Sequence, residues 1–192
     1  MTVVEGSERV INLADLFEVV AEACPERTAV ICGDARPTYG ELDRRANRVA
    51  HVLASEGIGP GDVIGIHSRN RIEWIEAMIG ALKLRATPVN VNFRYVEAEL
   101  AHVYASAGMR ALVVEREYAG VAAAAARDVG SLSSFFVLDD GSDAPMPTHF
   151  VGFEPAVAAA SDAHDFGPRS PDDAFVLFTG GTTGLPKGVV WR

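Results

Sequence analysis

Short apolar runs alternate with longer segments of helical periodicity through most of the chain. Continuous apolar runs predict β-strands at residues 63–67, 87–91, 111–114, 134–138 and 174–178. Apolar residues at helical spacing predict helices near residues 71–84, 96–106 and 118–128. Strands that alternate with helices of about ten or more residues are typical of βαβ units. We therefore predict an α/β fold with a mostly parallel sheet that helices cover.

Two further helices are predicted before the first strand. Asn12 is a suitable cap for a helix over residues 11–23. Thr38 and Glu41 have the form of a capping box, which predicts the start of a second helix. The second helix carries one apolar stripe, formed by Leu42, Ala46, Val49, Ala50 and Leu53. Both helices are therefore expected to bury one face.

Turn and cap residues mark the ends of several of these elements. Residues 28–38 predict a β-hairpin around a Gly33-Asp34 turn. Gly57 fits the position just past the end of the second helix. Asn70, with Glu73 three residues on, is predicted to cap the helix that follows the first strand.

Residues 139–173 differ in composition from the rest of the chain. They hold five of the ten prolines, together with Gly, Ser and Asp, and one short helical pattern near residues 154–160. Such a composition is typical of a surface connection. We predict a long connection within one domain, after which residues 174–178 return to the sheet.

Composition narrows the class of protein. The chain has 192 residues, of which 48% are hydrophobic, and a formal net charge of −9. An acidic balance argues against a nucleic-acid-binding protein, because phosphate backbones are held by clustered Lys and Arg. Cys24 and Cys32 lack metal-site spacing, and the five histidines share no ligand-like spacing either, so no metal ligand is predicted. The first ten residues do not resemble a signal peptide, and no apolar run has transmembrane length, which predicts a cytoplasmic protein.

The segment FTGGTTGLPKGV, residues 178–189, concentrates the candidate chemistry. It follows a predicted strand, where α/β sheets bind ligands at the carboxyl ends of their strands. Glycines allow the backbone to approach a ligand closely, and successive N–H groups can form a nest for an anion. The threonine hydroxyls add donors. Lys187 adds a positive charge suited to polyphosphate, and the only other lysine is Lys83.

Two other interpretations of this segment can be compared with its residues, a Walker A loop, which they do not fit, and a flexible connector. A Walker A loop needs a Ser or Thr after its lysine and a helix after that. Here Gly188 takes the place of the Ser or Thr, Pro186 interrupts the cradle, and Val189-Val190-Trp191 favours a strand. The remaining alternative is a flexible connector between two strands.

FTGGTTGLPKGV resembles the signature loop of the AMP-forming acyl-CoA synthetases, within the adenylate-forming enzyme superfamily. The family pattern is (S/T)-(S/T)-G-(S/T)-T-G-x-P-K-G, and the sequence departs from it at Gly180, where a hydroxyl is usual. The segments beginning at Thr28, Gly57 and Thr87 also resemble the family's amino-terminal part, in the same order. The resemblance therefore covers nearly the whole chain. It implies that residues 1–192 are part of a flavodoxin-like N-terminal AMP-binding domain.

The resemblance also implies a reaction and a set of binding residues. A carboxylic acid, such as a fatty acid, would react with ATP to give an acyl-adenylate and pyrophosphate, and coenzyme A would then give acyl-CoA and AMP, with Mg²⁺ as cofactor. ATP phosphates would contact Thr179, Gly180, Gly181, Thr182, Thr183, Gly184 and Lys187. Catalytic residues, the acid pocket and a small C-terminal domain are expected beyond residue 192, so we expect no activity from this chain alone. The alternative is a non-catalytic remnant or interaction module that does not bind ATP.

Overall fold

A computed structural model of the chain describes residues 12–181 and 184–191. The helices in this part are α1 (Leu13–Ala23), α2 (Tyr39–Ser55), α3 (Ile72–Lys83), α4 (Glu97–Ala107), α5 (Arg116–Ala126) and α6 (Phe153–Ala159). The strands are β1 (Val63–His67), β2 (Thr87–Val91), β3 (Met109–Glu115), β4 (Ser134–Leu138), β5 (Val151–Gly152), β6 (Phe175–Gly181) and β7 (Gly184–Trp191). Every strand and helix listed in the sequence analysis for residues 39–138 and 174–178 is present.

The strands form one sheet in the order β5-β4-β3-β1-β2-β6-β7. All neighbouring pairs are parallel except β6 and β7, which pair antiparallel. The chain moves from β1 to β2 on one side and then crosses back to β3 on the other. The predicted α/β fold with a mostly parallel sheet is therefore confirmed.

Side chains alternate between two cores, one on each face of the sheet. On β1, Ile64 and Ile66 pack into a core with α2, α3 and α6. The residue between them, Gly65, faces the opposite core, because a Cβ there would lie 2.7 Å from the Met109 sulfur. That second core contains residues of α4 and α5. The alternation follows from the two-residue period of a strand and explains why the strands are apolar on both faces.

Close packing of α2 against α3 requires a glycine. A Cβ on Gly80 of α3 would lie 2.8 Å from Val49 Cγ1 and 3.0 Å from the Ala46 carbonyl oxygen on α2. The stripe predicted on α2 is buried at this contact, in the residues Leu42, Ala46, Val49, Ala50 and Leu53. The absence of a side chain at residue 80 therefore sets how closely the two helices approach.

The predicted helix starts at α1 and α2 are confirmed. The Asn12 side chain accepts hydrogen bonds from the backbone of Ala14 at 2.8 Å and Asp15 at 3.1 Å. Thr38 and Glu41 form the predicted reciprocal capping box. Each cap satisfies N–H groups that the first helical turn leaves without partners.

One local prediction is confirmed and another is wrong. The predicted hairpin at residues 28–38 is present in a short form, with Thr28 paired antiparallel to Thr38 and Cys32 paired to Ala35 across the Gly33-Asp34 turn. The pairing is limited to these isolated bridges, and Pro37 has no N–H to donate to a longer ladder. At α3 the residue before the helix is Arg71, with no side-chain cap, so Asn70 is not the cap. Glu73 instead receives two hydrogen bonds of 2.8 Å from the Arg71 guanidinium.

The segment 139–173 is only partly a surface connection. It contributes β5 at the edge of the sheet and α6, whose Phe153 and Val157 are buried beside β4. The short helix predicted near residues 154–160 is therefore present as α6, whereas the two-residue strand β5 was not predicted. Further on, residues 161–173 are attached to the helices by polar contacts.

One buried ion cluster makes this attachment, and we call it the Lys83 cluster. Lys83, 1% exposed at the end of α3, forms ion pairs with Glu18 and Asp43. Glu18 also accepts hydrogen bonds from Arg169 at 2.6 and 2.7 Å. Burial raises the pKa of Glu18, but the bonds from Arg169 and Lys83 outweigh it and leave that pKa below its usual value. The cluster therefore ties α1, α2 and α3 to the segment that leads into β6.

No helix in the described part of the chain combines the length and apolarity that a membrane crossing requires.

Candidate phosphate-binding hairpin

The glycine-rich segment forms the turn between β6 and β7. β6 lies beside β2 and parallel to it, with Val89 opposite Val176 and Asn90 opposite Leu177. The end of β6 therefore lies at the same edge of the sheet as the carboxyl end of β2. Ligands of open α/β sheets bind at this edge. The hairpin thus occupies the position that the sequence predicts for a binding loop.

Residues predicted to contact phosphate lie on both arms of the hairpin. Thr179 on β6 and Lys187 on β7 are directly opposite each other, and both are exposed. The Thr179 hydroxyl donates to the Lys187 carbonyl over 3.5 Å, a long contact. Gly181 pairs with Gly184, and the register shifts between Thr179 and Gly181. The glycines therefore lie at the irregular, narrow end of the hairpin, where backbone N–H groups can turn toward a ligand.

Gly180 also belongs to β6 and precedes its last residue, Gly181. Thr182 and Thr183, the remaining predicted contacts, lie outside the described residues.

The charge of Lys187 is available to a ligand. Within residues 12–181 and 184–191, Lys187 forms no ion pair, whereas Lys83 is buried between two carboxylates. The whole chain has a net charge of −9, so any positive charge offered to an anion must be local. An exposed ammonium group attracts an anion locally despite the acidic balance of the chain.

The residues after the turn exclude a Walker A loop. A Walker A loop leads into a helix, but here β7 follows and pairs with β6. Gly188, which stands in the position of the Walker Ser or Thr, lies opposite Phe178. A Cβ at residue 188 would lie 3.2 Å from the Phe178 ring and from Val176. Glycine here serves the packing of the hairpin.

A histidine of α4 contacts the hairpin, and sequence reasoning missed it. His102, half-buried, has its Nε2 atom 3.1 Å from the carbonyl oxygen of Pro186. The two residues are 84 positions apart, and nothing in the local sequence around either one indicates the contact. The sequence predicts only the helix at residues 96–106, within which His102 lies.

His67 lies at the end of β1, as its place in the sequence predicts, but it is fully buried. Its ring stacks on Tyr118 with centroids 5.2 Å apart, and its Nδ1 atom is 3.4 Å from the Tyr104 hydroxyl. Burial lowers the pKa of His67 to about 4, and the Phe93 backbone opposes this shift only in part. His67 is therefore neutral at pH 7 and supplies no charge to an anion.

The exit of β2 has a structural role. Asn92 accepts a hydrogen bond of 3.0 Å from the Arg94 backbone, which turns the chain toward α4. The Arg94 guanidinium lies 5.4 Å from the centre of the Phe93 ring and is exposed. Asn90, Asn92 and Arg94 are all exposed, so this strand exit is solvated.

The described residues contain no group of three or more His, Cys, Asp or Glu side chains that could hold a metal ion. The donors at the hairpin are N–H groups, hydroxyls and an ammonium group, which suit an anion. A divalent cation at this edge would need oxygen ligands from a bound phosphate or from other parts of a protein.

Comparison with known proteins shows the family of the chain. Residues 17–192 match the family described as AMP-binding enzyme. A medium/long-chain-fatty-acid–CoA/3-oxocholest-4-en-26-oate–CoA ligase of Mycobacterium marinum is 46% identical over 187 residues, which cover 95% of this chain and 34% of the relative. The 3-oxocholest-4-en-26-oate–CoA ligase of Rhodococcus rhodochrous is 44% identical and covers 95% of this chain and 33% of its own length.

The fold has solved counterparts. The apo structure of MbtA from Mycobacterium smegmatis superimposes with a TM-score of 0.83 at 32% identity, over 94% of this chain and 33% of that one. The chain thus spans about a third of the length of the relatives that it matches. Because the family match extends over residues 17–192, the chain belongs to the AMP-binding enzyme family.

Proposed function

We propose that this chain is the amino-terminal part of an ATP-dependent, AMP-forming acyl-CoA synthetase and that the β6–β7 hairpin binds the phosphates of ATP. The observation that carries the proposal is the pairing of Thr179 with Lys187 across a glycine turn at the carboxyl edge of the sheet. Residues 1–192 would form part of a single AMP-binding domain, with 139–173 inside it. The rest of the acid-binding and catalytic machinery would lie in the two thirds of the relatives' length that this chain does not span.

The hairpin suits the first half of the reaction. A carboxylate oxygen of the acid attacks the α-phosphorus of ATP, and the bond from that phosphorus to the bridging oxygen of the β-phosphate breaks. Negative charge then grows on the departing pyrophosphate. The Lys187 ammonium group, the threonine hydroxyls and the N–H groups of Gly180, Gly181 and Gly184 would stabilise that charge from fixed positions.

The second half of the reaction uses coenzyme A. Its sulfur attacks the acyl carbon, the bond between that carbon and the AMP oxygen breaks, and the thiol proton is released. The relatives' names specify fatty acids and a steroid acid. We propose a hydrophobic carboxylic acid of this class as the substrate.

Mg²⁺ would arrive with the nucleotide. The hairpin offers it no carboxylate among the described residues. The ion fits this part of the chain only through ATP oxygens and through hydroxyls such as that of Thr179, and it would neutralise charge on the phosphates.

Replacing Lys187 tests the proposal. We expect Lys187→Met to weaken MgATP binding about tenfold, the size expected for one charge-assisted contact. Arg127→Met is the matched control, because it removes one exposed positive charge at the far end of α5. The measurement is an NMR titration of the chain with MgATP. Chemical-shift changes of the backbone amides give both the affinity and the location of binding, and the informative amides are those of Gly180, Gly181 and Gly184.

AMP serves as the matched ligand, since it lacks the β- and γ-phosphates. We expect it to shift the glycine amides far less than ATP does. Equal responses to ATP and AMP, or no response to millimolar MgATP, would contradict phosphate binding by the hairpin. The second outcome would favour a non-catalytic interaction module.

A further inference from the structure

β7 is the last strand of the sheet in the described part of the chain, so only one of its edges pairs with another strand. α4 packs against β7. Between them lies a groove of about 430 Å³, lined in part by His102, Ser106, Pro186 and Lys187. Pro186 is buried, although the residues on either side of it are exposed. An edge strand leaves backbone groups without ladder partners, and these need another source of hydrogen bonds.

His102 supplies one such partner. Its Nε2 atom lies 3.1 Å from the Pro186 carbonyl oxygen. Because a carbonyl oxygen only accepts, the Nε2 atom carries the proton in this contact. The histidine therefore donates from α4 to the backbone of β7.

The location of this bond matters because β7 is weakly paired there. Pro186 has no N–H to donate, and the register of the ladder is irregular between Thr179 and Gly181. The Pro186 carbonyl and the Lys187 N–H belong to one planar peptide unit and point in opposite directions. Holding that carbonyl toward α4 therefore turns the Lys187 N–H toward β6 and sets where the Lys187 side chain begins.

We propose that His102 is a positioning residue of the phosphate-binding hairpin, acting on Lys187 through the Pro186 carbonyl. This inference rests on the proposed function, because it presumes that Lys187 contacts the phosphates of ATP. His102 does not itself touch the ligand. The hydrogen bond from His102 restrains β7 before the ligand binds, so binding costs less conformational entropy. A site preorganised in this way binds its ligand more tightly.

A series of three variants of the full chain tests this role. His102→Gln keeps an amide donor at a reach close to that of Nε2. His102→Asn keeps the same amide on a shorter side chain, and His102→Leu removes the donor while filling similar space. We expect faster hydrogen exchange at the β7 amides, residues 187–190, in the Asn and Leu variants, with near-normal exchange in the Gln variant.

The same series is then titrated with MgATP. Loss of one neutral hydrogen bond predicts a rise in Kd of about two- to tenfold for the Asn and Leu variants. The Gln variant should bind as the unaltered chain does. Far-ultraviolet circular dichroism checks that α4 is retained, so that an unfolded variant is recognised.

Lys187→Met separates the two proposals. If Lys187→Met weakens MgATP binding but all three His102 variants bind normally, the positioning role is wrong and the proposed function stands. If Lys187→Met has no effect, the proposed function fails, and with it the role of His102 in phosphate binding. Equal exchange rates in the Gln and Leu variants would also overturn the positioning role, because the bond would then not hold β7.

Discussion

The two lysines of this chain lie in opposite environments. Lys83 is 1% exposed and held by Glu18 and Asp43 among three helices, whereas Lys187 is exposed on a hairpin and pairs with no described carboxylate. The ammonium group of Lys83 is neutralised by these carboxylates and joins segments of the fold. The ammonium group of Lys187 remains available to a ligand. A charged residue type therefore has no fixed role, and its partners decide whether it supports structure or binding.

The same contrast holds for histidines and glycines. His67 is buried against Tyr118, while His102 is half-buried and contacts the hairpin. Gly80 lies within a tight helix contact, whereas a Cβ on Gly184 would meet nothing within 4 Å. The interior positions are fixed by packing, whereas Gly184, at the end of the hairpin, keeps the open space that a ligand site needs. Three comparisons test this difference, beginning with the largest expected effect.

Lys83→Met should destabilise the chain by about 3–5 kcal/mol, because it leaves carboxylates of the Lys83 cluster without their buried partner. Lys187→Met should change the free energy of unfolding by less than about 0.5 kcal/mol, the usual size for a surface position. Urea denaturation of both variants measures the difference. Similar losses would show that burial does not distinguish the two lysines.

Stability should depend on the protonation of His67. Its pKa is lowered from 6.5 to about 4 in the folded chain, so the unfolded chain gains the proton first as the pH falls. The free energy of unfolding should therefore decrease between pH 7.5 and pH 5, by about 2 kcal/mol from this residue. The decrease begins near pH 6.5 and continues toward pH 4.

His67→Gln provides the control, since it keeps a polar side chain but does not titrate. Urea denaturation at several pH values should give a flatter profile for this variant than for the unaltered chain. The interval above pH 5 separates His67 from Glu18, whose pKa lies below its usual value of 4.5. Profiles of equal slope would show that His67 is accessible to protons in the folded state.

Gly80→Ala should destabilise the chain by about 1–2 kcal/mol. The added methyl group would crowd Val49 and the Ala46 carbonyl, and the gain in helix propensity offsets only part of that cost. Gly184→Ala is the matched substitution on the hairpin, where space is open, and should stay within about 0.5 kcal/mol. Thermal denaturation ranks the two variants, and the reverse ranking would contradict the packing described for α2 and α3.

Most elements of the fold could be predicted because their signals are local. The Thr38–Glu41 capping box and the apolar stripe of α2 each lie within a few turns of one helix, and both are confirmed. The short strands β1 to β4 are apolar on both faces, which is the pattern of a covered parallel sheet. A prediction failed where tertiary partners decide, at Asn70, and the edge strand β5 was not predicted.

The candidate site divides in the same way. The glycines, threonines and Lys187 are close in sequence, so the motif could be recognised directly. In the structure its described residues lie at the paired ends of β6 and β7, at the carboxyl edge of the sheet where the sequence predicts a binding loop. Thr182 and Thr183 stay predictions, and so does the contact of the whole set with phosphate. His102 and the burial of His67 could not be predicted, because both depend on residues distant in sequence.

The sequence by itself determined which strands and helices follow one another along the chain and which faces they bury. It also determined which segment carries the binding chemistry. These properties follow from the periods of helix and strand and from the backbone freedom of glycine, which act over a few residues. Only the tertiary structure decided which charges are neutralised, which histidine is buried and which helix packs against β7. Those outcomes depend on long-range contacts, which fix burial and hydrogen-bond partners only once the chain has folded.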